Sequence, residues 1–230
     1  MTEPRHDGLE GVRILANLTA DARRELGARC AWCDFRRGQL ITQQQENRRT
    51  VFFLTAGKAW AMFFSQTGKQ VTARDIDAGE MFGDLVALDG RSQAAVVEAV
   101  TKCTVARMPL ETFWDMLCAE PAVMAEVLKR VAWELGEVYQ RVVELSTLSV
   151  RGRVRAELLR MAERNGTAAG DAVLYPAPTN ADIAARIAAL HVSVNRELEE
   201  MVAAGLIERR GRTLVIPDVE KLRRLVAEPD

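Results

Sequence analysis

Apolar residues between positions 121 and 149 recur at alternating steps of four and three. The series runs Met124, Leu128, Val131, Leu135, Val138, Val142 and Leu145. A mean spacing of 3.5 residues is typical of a helix paired with a parallel copy of itself, because a helix on a globular core has a period of 3.6 and a wider stripe. The spacing therefore predicts a dimerisation helix over residues 121–149, begun by Pro121. Its predicted seam consists of Leu128, Val131, Leu135, Val138, Val142 and Leu145. Val127 and Val143 widen the stripe, which leaves an ordinary buried helix as the alternative.

The chain before this helix changes period. Short runs of β-branched, aromatic and aliphatic residues cover residues 50–54, 58–64, 70–75, 94–100 and 104–108. Gly57, Gly68 and Gly79 separate the first four of these runs, which predicts antiparallel hairpins of a barrel or roll, one of them turning at residues 67–69. A helix-like pattern precedes the runs over residues 9–31, with Thr19 as a helix-start signal. We expect one β-roll domain over residues 9–120.

The sequence pattern predicts a second domain over residues 150–230. A helical segment over 151–164 ends at Asn165-Gly166. Thr179 then caps a helix that has Asp182 at its fourth position, and a second short helix follows over residues 192–204. Gly205, a basic tip and a strand over 213–216 complete the order of a winged helix-turn-helix.

The residue types on this second domain suit DNA. Arg196 lies on the second helix, and an arginine in the major groove donates two parallel hydrogen bonds to guanine O6 and N7. The alternative for Arg196 is an ion pair with Glu200 on the same helix. Arginines at a hairpin tip suit phosphate contacts, although a solvated turn would look the same. The predicted DNA-binding set is Thr179, His191, Ser193, Asn195, Arg196, Arg209, Arg210 and Arg212.

The composition argues against catalysis and against a membrane. The chain has two histidines, at positions 6 and 191, and its 31 basic and 32 acidic residues nearly cancel. No nucleophile–base pair, phosphate loop or metal cluster is present, and no run approaches the roughly 18 apolar residues of a membrane span. Four cysteines are too few for a disulfide scaffold and suit a reducing compartment. We expect a cytoplasmic, non-enzymatic protein with no metal site and no membrane partner.

Two segments resemble the family of the cyclic-AMP receptor protein and the fumarate-nitrate reduction regulator (Crp/Fnr). GEMFGDLVALDG, Gly79 to Gly90, resembles its phosphate-binding cassette, and TNADIAARIAALHVSVNRELEEMVAAGLIERRGR, Thr179 to Arg212, resembles its DNA-reading head. The resemblance covers roughly residues 12–220. It implies an α+β fold with a cyclic-nucleotide-binding-type β-roll, a long dimerisation helix and a C-terminal winged helix-turn-helix.

The resemblance also implies a function. Such regulators are homodimers that bind double-stranded DNA sequence-specifically, act on RNA polymerase and control their DNA affinity through a signal in the roll. The alternative is a ligand-binding or redox (iron–sulfur) sensor whose C-terminal domain contacts protein and not DNA. The Arg and Glu that begin the family's recognition helix correspond to His191 and Val192 here, so we expect a different half-site.

The effector stays open, because the pocket departs from the nucleotide-binding pattern. Where those members have Gly-Glu for the ribose, this chain has Gly83-Asp84, followed by Leu85. The phosphate-binding Arg and its hydroxyl neighbour correspond to Gln93 and Ala94, and the purine-contacting pair corresponds to Val138 and Tyr139. Arg91-Ser92 offers the phosphate pair two positions early. Cyclic AMP and cyclic GMP are candidate effectors, and we expect their binding to be lost, altered or weak, because a phosphate without a guanidinium loses its paired donors.

Redox sensing has a weaker basis. Cys30 and Cys33 form a CxxC pair, and Cys103 or Cys118 could stand for the distant ligand of the iron–sulfur members. A cluster needs four thiolates, and the third close one is absent. Buried core cysteines are therefore the favoured reading.

Overall fold

The structure is a computed structural model that describes residues 8–42, 49–64, 70–90, 95–167 and 170–227. The described α-helices are α1 Ala20–Ala28, α2 Asp84–Asp89, α3 Leu110–Ala119, α4 Pro121–Thr147, α5 Val150–Asn165, α6 Asn180–Arg186, α7 His191–Ala203 and α8 Val219–Ala227. The described strands are β1 Ala31–Phe35, β2 Leu40–Thr42, β3 Thr50–Ala56, β4 Lys58–Phe64, β5 Gln70–Asp77, β6 Met81–Phe82, β7 Val96–Ala99, β8 Cys103–Pro109, β9 Ala172–Leu174, β10 Glu208–Arg210 and β11 Thr213–Ile216. The chain forms two compact units, residues 1–134 and 135–230.

The first unit contains a β-roll of two four-stranded sheets. Their strand orders are β1-β8-β3-β6 and β2-β7-β4-β5, and the described pairings are antiparallel. The central strand β3 is apolar on both faces, since successive side chains of a strand point to opposite sides. Val51 and Phe53 join the core beneath the helices, whereas Phe52 and Leu54 join the core of the roll. The predicted roll is confirmed.

Gly57 is fixed by the tight connection between β3 and β4. Its φ is +92°, and a Cβ there would lie 2.2 Å from the Lys102 carbonyl oxygen. Only glycine combines this conformation with such a close approach. The hairpin turn predicted at residues 67–69 lies outside the described residues.

The helix-like pattern expected over residues 9–31 corresponds to a shorter helix. The structure has a 3₁₀ turn at Arg13–Leu15 and then α1, which begins only after Thr19. The Thr19 hydroxyl accepts a hydrogen bond from the Ala22 N–H at 3.2 Å, so this residue caps the helix. Leu9 and Leu15 are buried in the core, and their apolar spacing therefore reflects burial of an irregular segment.

Helix α4 begins at Pro121, as predicted, and ends at Thr147. Its first turns belong to the first unit, where Val123 and Val127 are buried in the core. The seam residues do not join either unit's core. Leu128, Leu135, Val138, Val142 and Leu145 are all 46–68% exposed, and Val131 is partly buried.

The second unit is a winged helix-turn-helix. Helices α5, α6, α7 and α8 enclose one core with the three-stranded sheet β10-β11-β9. The hairpin of β10 and β11 is the wing, and Gly211 turns it with a φ of +61°. The predicted order of two short helices, basic tip and strand is confirmed.

Candidate DNA-binding surface and effector site

The helix-turn-helix begins with the predicted cap at Thr179. Its hydroxyl accepts from the Asp182 N–H at 3.1 Å, and the Asp182 carboxylate accepts from the Thr179 N–H at 2.8 Å. This capping box satisfies two backbone donors that a helix start leaves open. It also occupies the Thr179 side chain within the protein.

Helix α7 buries one face and exposes the other. Val194, Leu198 and Met201 are buried, as their spacing predicts. His191, Asn195 and Arg196 are exposed, and Ser193 is partly buried. The polar residues expected to contact DNA therefore lie on the face that the core leaves open.

Arg196 is largely exposed. Its side chain is 71% exposed, and its nearest carboxylate is Glu197 at 3.5 Å. The alternative pairing with Glu200 is wrong, because Arg151 of α5 bonds both Glu200 and Glu197, the latter at 3.1 Å. Arg151 thus neutralises carboxylates that would otherwise repel a phosphate backbone beside Arg196.

A chain of hydrogen bonds joins the wing to α6 and α7. Arg209 donates to the Asn180 amide oxygen at 2.6 Å, and Asn180 donates to the Asn195 amide oxygen at 2.6 Å. Asn195 in turn donates to Glu199 at 2.7 Å. Sequence reasoning missed Asn180, whose partners are 15 and 29 positions away and leave no periodic signal.

The other two wing arginines have different partners. Arg210 is exposed and pairs with Glu208 at 2.6 Å. Arg212 is exposed and lies over the Tyr175 ring, with its guanidinium carbon 5.9 Å from the ring centroid. Both remain at the tip of the wing, where they suit phosphate contacts.

In the first unit, Gly83 and Asp84 form the start of the cassette helix α2. Gly83 has a φ of +79°, and a Cβ there would lie 3.0 Å from the Phe52 ring. Asp84 is only 3% exposed, whereas Leu85 points outward and is 47% exposed. The tight glycine therefore turns the chain so that the carboxylate, and not its neighbour, enters the protein.

Asp84 already has an internal partner. Arg130 of α4 lies 3.2 Å from its carboxylate and 2.8 Å from Glu134. Glu134 also pairs with Arg74 of β5 at 2.9 Å, and Arg74 donates to the Met81 carbonyl oxygen at 2.8 Å. Burial raises the pKa of the Asp84 carboxyl, and Arg130 opposes that shift.

This network around the buried Asp84 is the main feature beside the cassette that sequence reasoning missed. Burial and the neighbouring Arg130 both lower the pKa of Arg74, while Glu134 opposes them. The spacing of Arg130 and Glu134, four positions apart on one helix, is a signal that could have been read. Arg74 gives no such signal, because β5 contacts the helix only in the folded protein.

The remaining predicted pocket residues stay predictions. Residues 91–94, with Arg91, Ser92, Gln93 and Ala94, lie outside the described residues. Val138 and Tyr139 are exposed on α4, beyond Glu134.

The cysteines show no ligand cluster. Burial raises the pKa of the Cys30 thiol to about 11, against the opposing effect of Arg29. Cys103 is buried and donates to the Lys58 carbonyl oxygen at 3.2 Å, while Cys33 is partly buried and Cys118 exposed. Among the residues that the structure describes, no group of three or more His, Cys, Asp or Glu is arranged to hold a metal ion, and no helix is long and apolar enough to cross a membrane.

Two protein families match the chain. Residues 32–119 match the cyclic nucleotide-binding domain, and residues 152–225 match the Crp-like helix-turn-helix domain. The chain is 24% identical over 192 residues to the CRP-like cAMP-activated global transcriptional regulator of Mycobacterium tuberculosis, which covers 83% of this chain and 86% of that protein.

Solved structures show the same fold. The structure of FixK2 from Bradyrhizobium japonicum superposes with a TM-score of 0.75 at 20% identity, over 87% of this chain and 99% of that one. The c-di-GMP responsive global regulator CLP of Xanthomonas campestris superposes with a TM-score of 0.73 at 14% identity, over 86% of this chain and 99% of that one. With a cyclic nucleotide-binding domain and a Crp-like helix-turn-helix domain both matched, and a CRP-like regulator matched over 83% of the chain, the chain belongs to the Crp/Fnr family of DNA-binding transcription regulators.

Proposed function

We propose that this regulator acts as a homodimer paired along α4 and places one α7 in each of two neighbouring major grooves. The observation that carries the proposal is the exposed apolar seam of α4, which five large side chains form at heptad spacing. A contiguous apolar stripe on a helix needs a cover, and a second copy of the same helix provides one with matching spacing. A dimer of this kind binds two half-sites about one helical turn apart.

We assign three segments to this activity: a sensing roll at residues 9–120, a dimerisation helix at 121–149 and a DNA-binding domain at 150–230. The DNA-binding residues of the proposal are Arg196, His191, Ser193 and Asn195 for base edges. Thr179 and the wing arginines 209, 210 and 212 supply contacts to the backbone. The proposed activity is binding and not catalysis. To regulate transcription, the protein acts on RNA polymerase as a further partner. Both binding events take place in the cytoplasm, where the chromosome lies.

The roll carries the signal in this proposal, but not through the ordinary cyclic-AMP contacts. A ribose hydroxyl that approached Asp84 would have to compete with Arg130, which is 3.2 Å from that carboxylate. Gln93 and Ala94 offer no charge to a phosphate. One relative is cAMP-activated and one structural neighbour is c-di-GMP responsive, so the shared fold does not fix the effector.

The test is the stoichiometry on DNA. Duplexes are selected from a random pool by the purified protein, and native mass spectrometry then counts the chains on each duplex. We expect two chains on a twofold-symmetric sequence. One chain per duplex, or a selected sequence without symmetry, would contradict the dimeric arrangement.

A further inference from the structure

The second unit contains a buried carboxylate, Glu157. Glu157 of α5 is 2% exposed, and arginines from three helices surround it. Arg160 of the same helix bonds it directly, Arg186 of α6 lies at 3.4 Å and Arg141 of α4 at 3.6 Å. A charge this deeply buried is tolerated only with such partners.

The arginines are themselves tied to α4. The Nη2 atom of Arg160 donates to both carboxylate oxygens of Glu144 of α4, at 2.7 and 2.8 Å. Burial lowers the pKa of Arg141, and the nearby Arg160 and Arg186 add to this effect, while Glu157 opposes it. Arg141 therefore depends on Glu157 for its favourable electrostatic environment, and the pair links α4 to α5.

Arg141 and a further arginine, Arg153, hold the end of α6. Arg141 donates to the Arg186 carbonyl oxygen at 3.4 Å, and Arg153 of α5 donates to the Ile187 carbonyl oxygen at 2.8 Å. Positive side chains are favourable at a helix C-terminus, where carbonyl groups lack partners. The end of α6 is thus fixed to both α4 and α5.

Fixing α6 also fixes α7, which we call the reading helix because we propose that it contacts base edges. The turn between α6 and α7 is short, and Ala188 within it has a φ of +53°. The Ala189 N–H donates to the Ala184 carbonyl oxygen at 3.1 Å, so the turn is closed onto α6. A non-glycine residue with positive φ persists only where its surroundings determine the conformation.

We infer that Glu157 is a positioning residue for DNA recognition: through Arg141 and Arg186 it sets the angle between α4 and the reading helix α7. The inference rests on the proposed dimer along α4. In such a dimer this angle determines which separation of two half-sites both reading helices can occupy together. Glu157 touches no base in this assignment, so it acts on half-site separation and not on half-site sequence.

The test compares DNA fragments that carry one half-site with fragments that carry two, at the selected separation and at separations longer or shorter by one or two base pairs. The variants are Arg141→Gln, which removes the contacts from α4 to Glu157 and to the end of α6, and Glu157→Gln. Arg155→Gln is the matched control, because it removes a positive charge from α5 outside this network. Melting curves confirm that each variant is folded.

We expect Arg141→Gln and Glu157→Gln to bind the single half-site as tightly as the unchanged protein. On two half-sites they should lose about tenfold in affinity at the selected separation, because reading helices whose angle is no longer fixed engage both half-sites together less favourably. They should also accept the altered separations, whereas Arg155→Gln should behave like the unchanged protein. If Glu157→Gln does not fold, Glu157→Gln combined with Arg186→Met removes both buried charges and replaces it in the test.

Two results would overturn the inference. The first is an unaltered separation preference in the folded variants. The second is an equal loss on one and two half-sites, which would give Glu157 a purely structural role. Failure of the dimer proposal looks different, since the unchanged protein itself would then bind one and two half-sites alike.

Discussion

Arg196 and Arg210 are both exposed, and we assign them to different parts of DNA. Arg196 projects from the open face of α7, and Arg210 sits on the wing beside Glu208. We expect Arg196→Ala to lose about 1–3 kcal/mol of discrimination at one base pair. Arg210→Ala should weaken binding to all sequences alike and flatten the salt dependence. Titrations of the selected site and its single-base variants at several salt concentrations measure both effects, and equal sequence-independent losses for the two variants would contradict the assignment.

Cys30 is protected by burial. Its thiol has a pKa raised to about 11, so it stays protonated through the physiological range, and the thiolate is the reactive form. We expect iodoacetamide to label the exposed Cys118 well before Cys30 in the folded protein at pH 7.5, with Cys30 labelling rising only as the pH approaches 11. Peptide mass spectrometry over time measures both rates. Labelling of Cys30 faster than Cys118 at pH 7.5 would contradict this expectation and favour a redox role for the CxxC pair.

Among the helices and strands, α4 can be tested most directly. Leu135 lies on the seam, so Leu135→Lys would bury a charge against its own copy and should give monomers. Trp133 is also exposed on α4 but lies outside the heptad steps, so Trp133→Lys is the control and should stay dimeric. Light scattering reports the mass of each. If Leu135→Lys is still a dimer, the seam is not the dimer interface.

Local patterns predicted the elements well where a single segment carries its own signal. The heptad steps, the run at residues 58–64 and the cap at Thr179 each depend on near neighbours. They correspond to α4, β4 and the start of α6, respectively. The short cassette helix α2 was not predicted, because six residues are too few to show a helical period.

Long-range charge networks escaped prediction for a physical reason. Arg74 meets Glu134, and Glu157 meets Arg186, only after folding brings distant segments together. Their charges look like ordinary surface residues in the sequence, since charged side chains are seldom fully buried. The residues that we propose for base contacts were easier to predict, because they all belong to the single helix α7.

At the scale of the whole molecule, we propose that the roll determines what the regulator senses. We expect no tight binding of cyclic AMP or cyclic GMP. The Asp84 carboxylate already pairs with Arg130, and Gln93 and Ala94 stand where nucleotide-binding members have the phosphate-binding pair. Gln93→Arg with Ala94→Ser should raise nucleotide affinity by restoring paired donors. Calorimetry decides between the outcomes.

Micromolar or tighter binding by the unchanged protein would refute this expectation. It would assign the phosphate contact to Arg91 and Ser92 instead, and loss of binding in Arg91→Ala would confirm that assignment.

The central claim is that this chain recognises DNA by sequence, and the ratio of two affinities tests it most directly. Fluorescence anisotropy at one fixed salt concentration compares the selected duplex with a scrambled duplex of equal length and composition. A sequence-specific regulator of this family should prefer the selected duplex by about a thousandfold or more. Equal affinity for the two duplexes, or no binding to either, would contradict the account.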